Sequence, residues 1–162
     1  MHARGGVLDC HLMVDNPEHH FPQIAKAGGD SVTFHHEVVA DVAVTAAKAR
    51  ELGLGAGLAF NPESEVADVV PRVEGVDLVL CMSIHPGYSG QAFMPDALDR
   101  IAQLRSLLPA PTRIQVDGGV NRKTIVAARD AGADLLVAGS ALFWSDDPAA
   151  SYRELAKLVA DG

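Results

Sequence analysis

Positive charge, cysteine and long apolar runs are all scarce in this chain. Thirteen Lys and Arg stand against 21 Asp and Glu, a formal charge of −8. That balance argues against holding nucleic acid or an anionic membrane by bulk electrostatics. An anionic ligand would then need local help from backbone N–H groups or a metal. Two cysteines, Cys10 and Cys81, are too few for a disulfide framework. Both fall in predicted strands and read as buried free thiols, and a reducing cytoplasm is the simplest home. No apolar stretch approaches the roughly 20 residues a membrane-spanning helix needs. The start, Met1-His-Ala-Arg-Gly-Gly6, leads into an apolar run broken by Asp9 and does not resemble a signal peptide. No linker or low-complexity segment interrupts residues 1–162. With 48% hydrophobic and 21% charged residues, the chain reads as one soluble domain with a substantial core.

What is present is a strict alternation. Short apolar, β-branched runs predict strands over Val7–Val14, Ser31–His35, Leu54–Phe60, Val76–Met82, Thr112–Asp117 and Asp134–Ala138. Between them lie helix candidates near Pro17–Ala27, Val39–Leu52, Ser64–Val73, Pro95–Leu108, Arg122–Ala131 and Pro148–Ala160. Asn16-Pro17, Asn61-Pro62, Met94-Pro95 and Asp147-Pro148 put proline near helix starts, and Gly28, Gly53 and Gly132 sit just past helix ends. Unbroken β/α alternation implies an α/β fold with a parallel sheet, open or closed as a barrel. The barrel is favoured because chemically suggestive residues follow several strands in turn, not one switch point. Six βα units are countable where such a barrel has eight, so an incomplete barrel is expected, with the two absent units at the amino end.

Asp117 carries the most information about chemistry. In Arg113-Ile-Gln-Val-Asp-Gly-Gly-Val120 it closes an apolar strand and is followed at once by Gly118 and Gly119. His11 sits in a similar place in Val7-Leu-Asp-Cys-His-Leu-Met-Val14, with Asp9 and Met13 on the same face by the period of two. An imidazole and a carboxylate at strand ends suit zinc, manganese or iron. Asp9 lies deeper, as a partner that could orient His11 or as a satisfied buried carboxylate. His35 and Glu37 also end a strand and stand beside the substrate position or as a polar strand terminus; His36 is expected to face solvent. Met13 and Met82 either wall the substrate or pack. Gly87 and Gly90 in the run Met82–Gln91 let the backbone approach an anion, Ser89 can add a hydroxyl, and Gly139-Ser140 precedes a short apolar stretch. Such turns after barrel strands commonly hold phosphate.

Six motifs in order then carry a resemblance. Asp9-x-His-Leu-Met13, Phe34-His-x-Glu37, Gly57-Leu-Ala-x-Asn61-Pro62, Met82-Ser-x-x-Pro-Gly-x-x-Gly-Gln91, Val116-Asp-Gly-Gly-Val120 and Ala131-Gly-Ala-Asp134 with Ala138-Gly-Ser140 resemble ribulose-phosphate 3-epimerases over nearly the whole chain. The resemblance implies a (β/α)8 TIM-type barrel, and an isomerase of carbohydrate metabolism in the pentose phosphate pathway. Such an enzyme interconverts D-ribulose 5-phosphate and D-xylulose 5-phosphate by metal-assisted proton transfer at C3. It implies that His11 is a metal ligand touching substrate, and that Asp117 is both metal ligand and one of two acid/base carboxylates. Gly87, Tyr88, Ser89 and Gly90 would hold phosphate with Gly139 and Ser140, while Gly118 and Gly119 line the substrate path.

The departures are as informative. The family carries a serine on its first strand and a His-x-Asp pair on its second, and this chain's first strand matches the family's third. His85 stands where the family has asparagine, and Tyr88-Ser89 where Phe-Gly is common. A non-catalytic phosphate-binding relic and an epimerase for a six-carbon ketose phosphate are the alternatives. Opening the barrel would expose two apolar strand edges, Val7–Val14 and Asp134–Ala138. Light scattering of these 162 residues is therefore expected to show self-association into homo-oligomers; a monodisperse monomer would count against exposed edges.

Overall fold

The structure is a computed structural model and describes residues 2–88 and 90–160. Its six strands are β1 (Asp9–Leu12), β2 (Ser31–His35), β3 (Gly55–Phe60), β4 (Leu78–Met82), β5 (Arg113–Asp117) and β6 (Leu135–Val137). All pair in parallel in chain order, β1-β2-β3-β4-β5-β6. Parallel neighbours need a crossover, and helices supply it. They are α1 (Phe21–Ala27), α2 (Val42–Glu51), α3 (Val66–Val69), α4 (Ala97–Leu107), α5 (Ile125–Asp130), α6 (Ser140–Phe143) and α7 (Pro148–Ala160).

Every predicted strand is present, several of them shorter than expected: the Val7–Val14 run narrows to Asp9–Leu12. The helix expected over Ser64–Val73 is instead the single turn α3 followed by a 3₁₀ turn, Val70–Arg72. Pro71 lies in that turn and has no N–H to continue an α-helical ladder. Asp41 caps α2 by accepting from the Val44 N–H at 3.0 Å.

The sheet has two different faces. Val32, Phe34, Leu58, Phe60, Val79, Cys81, Ile114 and Val116 point outward and are buried with helix residues such as Ala46, Ile101, Leu104 and Ala128 in the main core. Burial pushes the free Cys81 thiol up to about 12. The other face carries Thr33, His35, Gly57, Ala59, Leu80, Met82, Gln115 and Asp117; its apolar centre is the small cluster of Ala59, Leu80 and Met82.

That inner face is concave. His11 on β1 and Asp117 on β5 approach to 3.9 Å, although four strand spacings of about 4.8 Å would separate them by roughly 19 Å in a flat sheet. The ladder also slips by two residues at β3–β4, where Gly57 pairs with Leu78, and again at β5–β6, where Gln115 pairs with Leu135. Such stagger is what curling into a parallel barrel demands. The fold is thus an incomplete barrel of six strands, with the carboxyl ends converging on one mouth.

Inner-face packing leaves no room at Gly57. A Cβ there would lie 2.4 Å from Thr33 Oγ1 and 3.0 Å from a Leu78 methyl, and Thr33 is fully buried. Gly57→Ala is expected to lower stability by about 1–3 kcal/mol through overpacking, read as a lower urea midpoint; an unchanged midpoint would contradict this inner layer.

Candidate active site

β1 and β5 place the two central groups. His11 is mostly covered; burial, with the His35 ring beside it, lowers its pKa to about 4 against the opposing pull of the Asp9 carboxylate. Burial raises the Asp117 carboxyl above its usual range, with the Gly118 backbone N–H working against the rise. His11 Nδ1 faces Asp117 Oδ2 at 3.9 Å. With a neutral imidazole this is no ion pair, and the distance is too long for a hydrogen bond.

The two groups face one another across a gap that a small side-chain movement would bring to ligand distance of one ion, so the imidazole–carboxylate pair fits a divalent ion. Nitrogen and oxygen donors suit zinc, manganese or iron. Among the described residues no three or more His, Cys, Asp or Glu side chains are arranged to hold one metal ion together. Among those residues the pair is therefore what is offered to a metal.

Behind His11 lies a chain of polar contacts. Its Nε2 is 2.8 Å from His35 Nε2, and His35 Nδ1 is 3.2 Å from Glu37 Oε2. The other Glu37 oxygen accepts from the Asn61 N–H and from the Ser64 hydroxyl, each at 2.7 Å. Burial would raise the Glu37 carboxyl, but the flanking His35 and His36 and the donors from Asn61 and Ser64 outweigh it and hold the group far below the usual range. His36, expected to face solvent, is largely covered, with Nε2 3.3 Å from Glu37 Oε1 and no hydrogen bond at either ring nitrogen. The strand ends at His35 and a 3₁₀ turn, His36–Val38, begins, so strand alternation no longer sets its direction.

Asp9 does not orient His11 by a hydrogen bond. It accepts from Ser31 Oγ at 2.6 Å and from Thr33 Oγ1 at 3.2 Å, and reaches His11 through its charge alone. Met82 packs in the inner layer, whereas Met13 is exposed. Both line, with His35, Asn61 and Pro86, a cavity of about 160 Å³ at the mouth.

The glycine-bearing loops meet each other. Gln91 Nε2–H bonds to the His85 and Tyr88 carbonyls tie the loop after β4 together, leaving Tyr88 exposed; Ser89 lies outside the described residues. Gly87 belongs to this loop, and Gly139-Ser140 opens α6 after β6. Trp144, just past α6, lies against Gly90: a Cβ at Gly90 would be 2.6 Å from its ring. Gly118 and Gly119 are close to protein. Gly118 packs on Ile84, and at Gly119 (φ +64) a Cβ would lie 2.4 Å from the Phe93 nitrogen. Ser83 Oγ donates toward the Asp117 and Gly118 carbonyls, at 2.9 and 2.6 Å. These contacts seat the β4 loop beside Asp117. Ser83, Ser64 and Trp144 were not legible as site residues; the Gly-Ser turn near a lone tryptophan was the signal for the last.

The class so defined is an α/β barrel-type protein whose strand ends present an imidazole–carboxylate pair beside glycine-rich loops. Solved structures with this fold include 3-hexulose-6-phosphate synthase from Salmonella typhimurium (TM-score 0.77, 19% identity, covering 99% of this chain and 76% of that one). Orotidine 5'-phosphate decarboxylase from Pyrococcus horikoshii OT3 is another (TM-score 0.71, 19% identity, 96% and 75%). The ribulose-phosphate 3 epimerase family model matches residues 3–143, and the chain belongs to that family. Ribulose-phosphate 3-epimerase from Schizosaccharomyces pombe is 41% identical over 87% of this chain and 61% of its own length. The cytoplasmic isoform from rice, Oryza sativa subsp. japonica, is 40% identical over 94% and 68%, and the Mycobacterium tuberculosis H37Rv protein 38% over 91% and 66%. The chain thus spans about two thirds of the length of these relatives, from 61% to 68%.

A group whose folded pKa is depressed stabilises the fold above its ordinary value and loses that contribution as pH falls. For Glu37 the stabilisation is full above about 4.5 and fades below it. The urea-stability gap between the wild type and Glu37→Gln is expected to be roughly 1–3 kcal/mol at neutral pH and to shrink as pH drops below 4.5. A gap that widens on acidification would sink this account of Glu37.

Proposed function

We propose that this chain serves in a carbohydrate epimerase that interconverts D-ribulose 5-phosphate and D-xylulose 5-phosphate by proton transfer at C3. The observation that carries the proposal is a neutral His11 facing a pKa-raised Asp117 across 3.9 Å at the mouth of the barrel. Family membership supports it.

Inverting a carbon beside a carbonyl means removing its proton from one face and returning one to the other. Asp117 is the acid/base on one face, and burial, which raises its pKa, makes it a stronger proton acceptor than an ordinary carboxylate. His11 and Asp117 would hold the divalent metal, which when bound supplies Lewis-acid stabilisation of the ene-diolate oxygens. The loop of Gly87, Tyr88, Ser89 and Gly90, with Gly139 and Ser140, takes the phosphate, and Gly118 and Gly119 keep the path beside Asp117 narrow. Holding the phosphate lets remote binding energy position C3 against the carboxyl. A cytoplasmic home is supported by two free cysteines and by the rice relative named as the cytoplasmic isoform. Among the described residues no helix is long and apolar enough to cross a membrane.

One observation favours a second reading, phosphate binding without turnover. By alternation the inner strand face carries two carboxylates, Asp9 and Asp117, and Asp9 is committed to Ser31 and Thr33. A single free carboxylate can take and return a proton on one face only.

Incubating the 162-residue chain with zinc or manganese and each pentulose phosphate in D2O tests both readings. Deuterium is expected at C3 of one epimer, with net inversion about 10²–10⁴-fold below that of a two-carboxylate enzyme, and Asp117→Asn should abolish the exchange. Turnover equal to that of the longer relatives would refute the one-carboxylate account. Sugar-phosphate binding without exchange would favour the second reading, and neither binding nor exchange would refute both.

A further inference from the structure

Glu37, His35 and His11 form a continuous line of contacts that ends at the nitrogen facing Asp117. We infer that Glu37 and His35 are positioning residues that fix the tautomer of His11, keeping the proton on its Nε2 and aiming the Nδ1 lone pair at Asp117. The inference rests on the metal-holding role proposed above for what that lone pair is used for, though not for the tautomer itself.

Proton placement along the line is set outward from Glu37. Its Oε1 accepts two hydrogen bonds, from the Asn61 N–H and the Ser64 hydroxyl, so the carboxylate is pinned and cannot rotate freely. Ionised, it is acceptor-only, and the His35 nitrogen facing Oε2, Nδ1, must carry a proton. With its one proton on Nδ1, the His35 imidazole presents Nε2 as a lone pair. That nitrogen lies 2.8 Å from His11 Nε2, so the shared proton belongs to His11. The ring geometry agrees: centroids are 5.0 Å apart and the planes differ by 20°. That separation is close to the N···N distance plus two ring radii, so the rings meet edge to edge and nearly coplanar, as an in-plane N–H···N bond requires. With Nε2 protonated, neutral His11 has a bare Nδ1. The absence of a hydrogen bond across the 3.9 Å to Asp117 is the expected consequence.

A ligand histidine commonly has its second nitrogen held by a carboxylate or carbonyl; here a second imidazole is interposed. The carboxylate reaches the ligand through it, and the loop after β3 reaches the metal position through Asn61 and Ser64. The motifs Phe34-His-x-Glu37 and Asn61-Pro62, far apart in the chain, thereby act on one atom.

Glu37→Gln discriminates this relay from simple packing. Asn61 and Ser64 demand an acceptor at the Oε1 position, so the amide oxygen takes that place and the NH₂ group faces His35. His35 Nδ1 must then accept, its Nε2 must donate, and the proton of His11 moves to Nδ1. Long-range ¹H–¹⁵N spectra of the metal-free protein read this directly. Wild type should show His11 protonated at Nε2, Glu37→Gln should show it protonated at Nδ1, and Ser64→Ala, which leaves Oε2 an acceptor, should match wild type. Titration with Zn²⁺ alone should give a Kd about 10–100-fold weaker for Glu37→Gln than for wild type. A wild-type His11 protonated at Nδ1, or an unchanged tautomer in Glu37→Gln, would overturn the relay. The expected tautomers with no zinc binding by wild type would leave the relay standing and refute the metal-holding reading instead.

Discussion

The curl of the sheet is the constraint on which the rest depends. Side chains from β1 and β5 can meet only because the six strands bend far enough to remove most of a roughly 19 Å gap. Three things sustain that bend: the two-residue slips in the ladder, helices packed on the outer face, and small or tightly packed inner residues. Gly57 sits against Thr33 and Leu78, and Ala59 beside Leu80 and Met82. Bulk on the inside would open the curve, and His11 would lose Asp117.

Desolvation at the mouth then sorts the ionisable groups by what surrounds each. His11 and Asp117 have few compensating bonds, so burial favours the neutral form of both. Glu37 is also partly covered, yet donors reach both of its oxygens and it keeps its charge. One polar line therefore runs from a firmly ionised carboxylate at the edge to a carboxyl of raised pKa at the centre. The first suits a fixed structural anchor and the second a group that exchanges protons. Glycine serves the same geometry by a different route: Gly118 and Gly119 admit Ile84 and Phe93, which brings the β4 loop against the end of β5.

Much of this was legible along the chain. Strand–helix alternation, proline at helix starts and apolar runs of strand length name a parallel α/β fold, and all six strands stand where they were expected. Asp117 and His11 were conspicuous because each interrupts or closes an apolar strand. The errors came where alternation stops. His36 was expected to face solvent, but the backbone turns into a 3₁₀ segment one residue earlier than a strand period assumes. Asp9 is a different case: its place on the same face left it either a partner for His11 or a satisfied carboxylate, Ser31 and Thr33 on the neighbouring strand offer it hydroxyls, and register, which no local pattern encodes, decides that pairing.

What the sequence determined by itself is the identity and order of the elements and the faces on which their residues lie, since those follow from periods of 2 and 3.6 and from proline and glycine chemistry. Six ordered motifs were also enough to indicate the family. Tertiary structure alone decided which strand-end groups touch: that His11 meets both Asp117 and His35, that Glu37 is pinned by residues 24 and 27 positions away, and that Trp144 lies on Gly90. Those contacts depend on the curvature and stagger of the whole sheet, which arise from all the strands together and are written in no single segment.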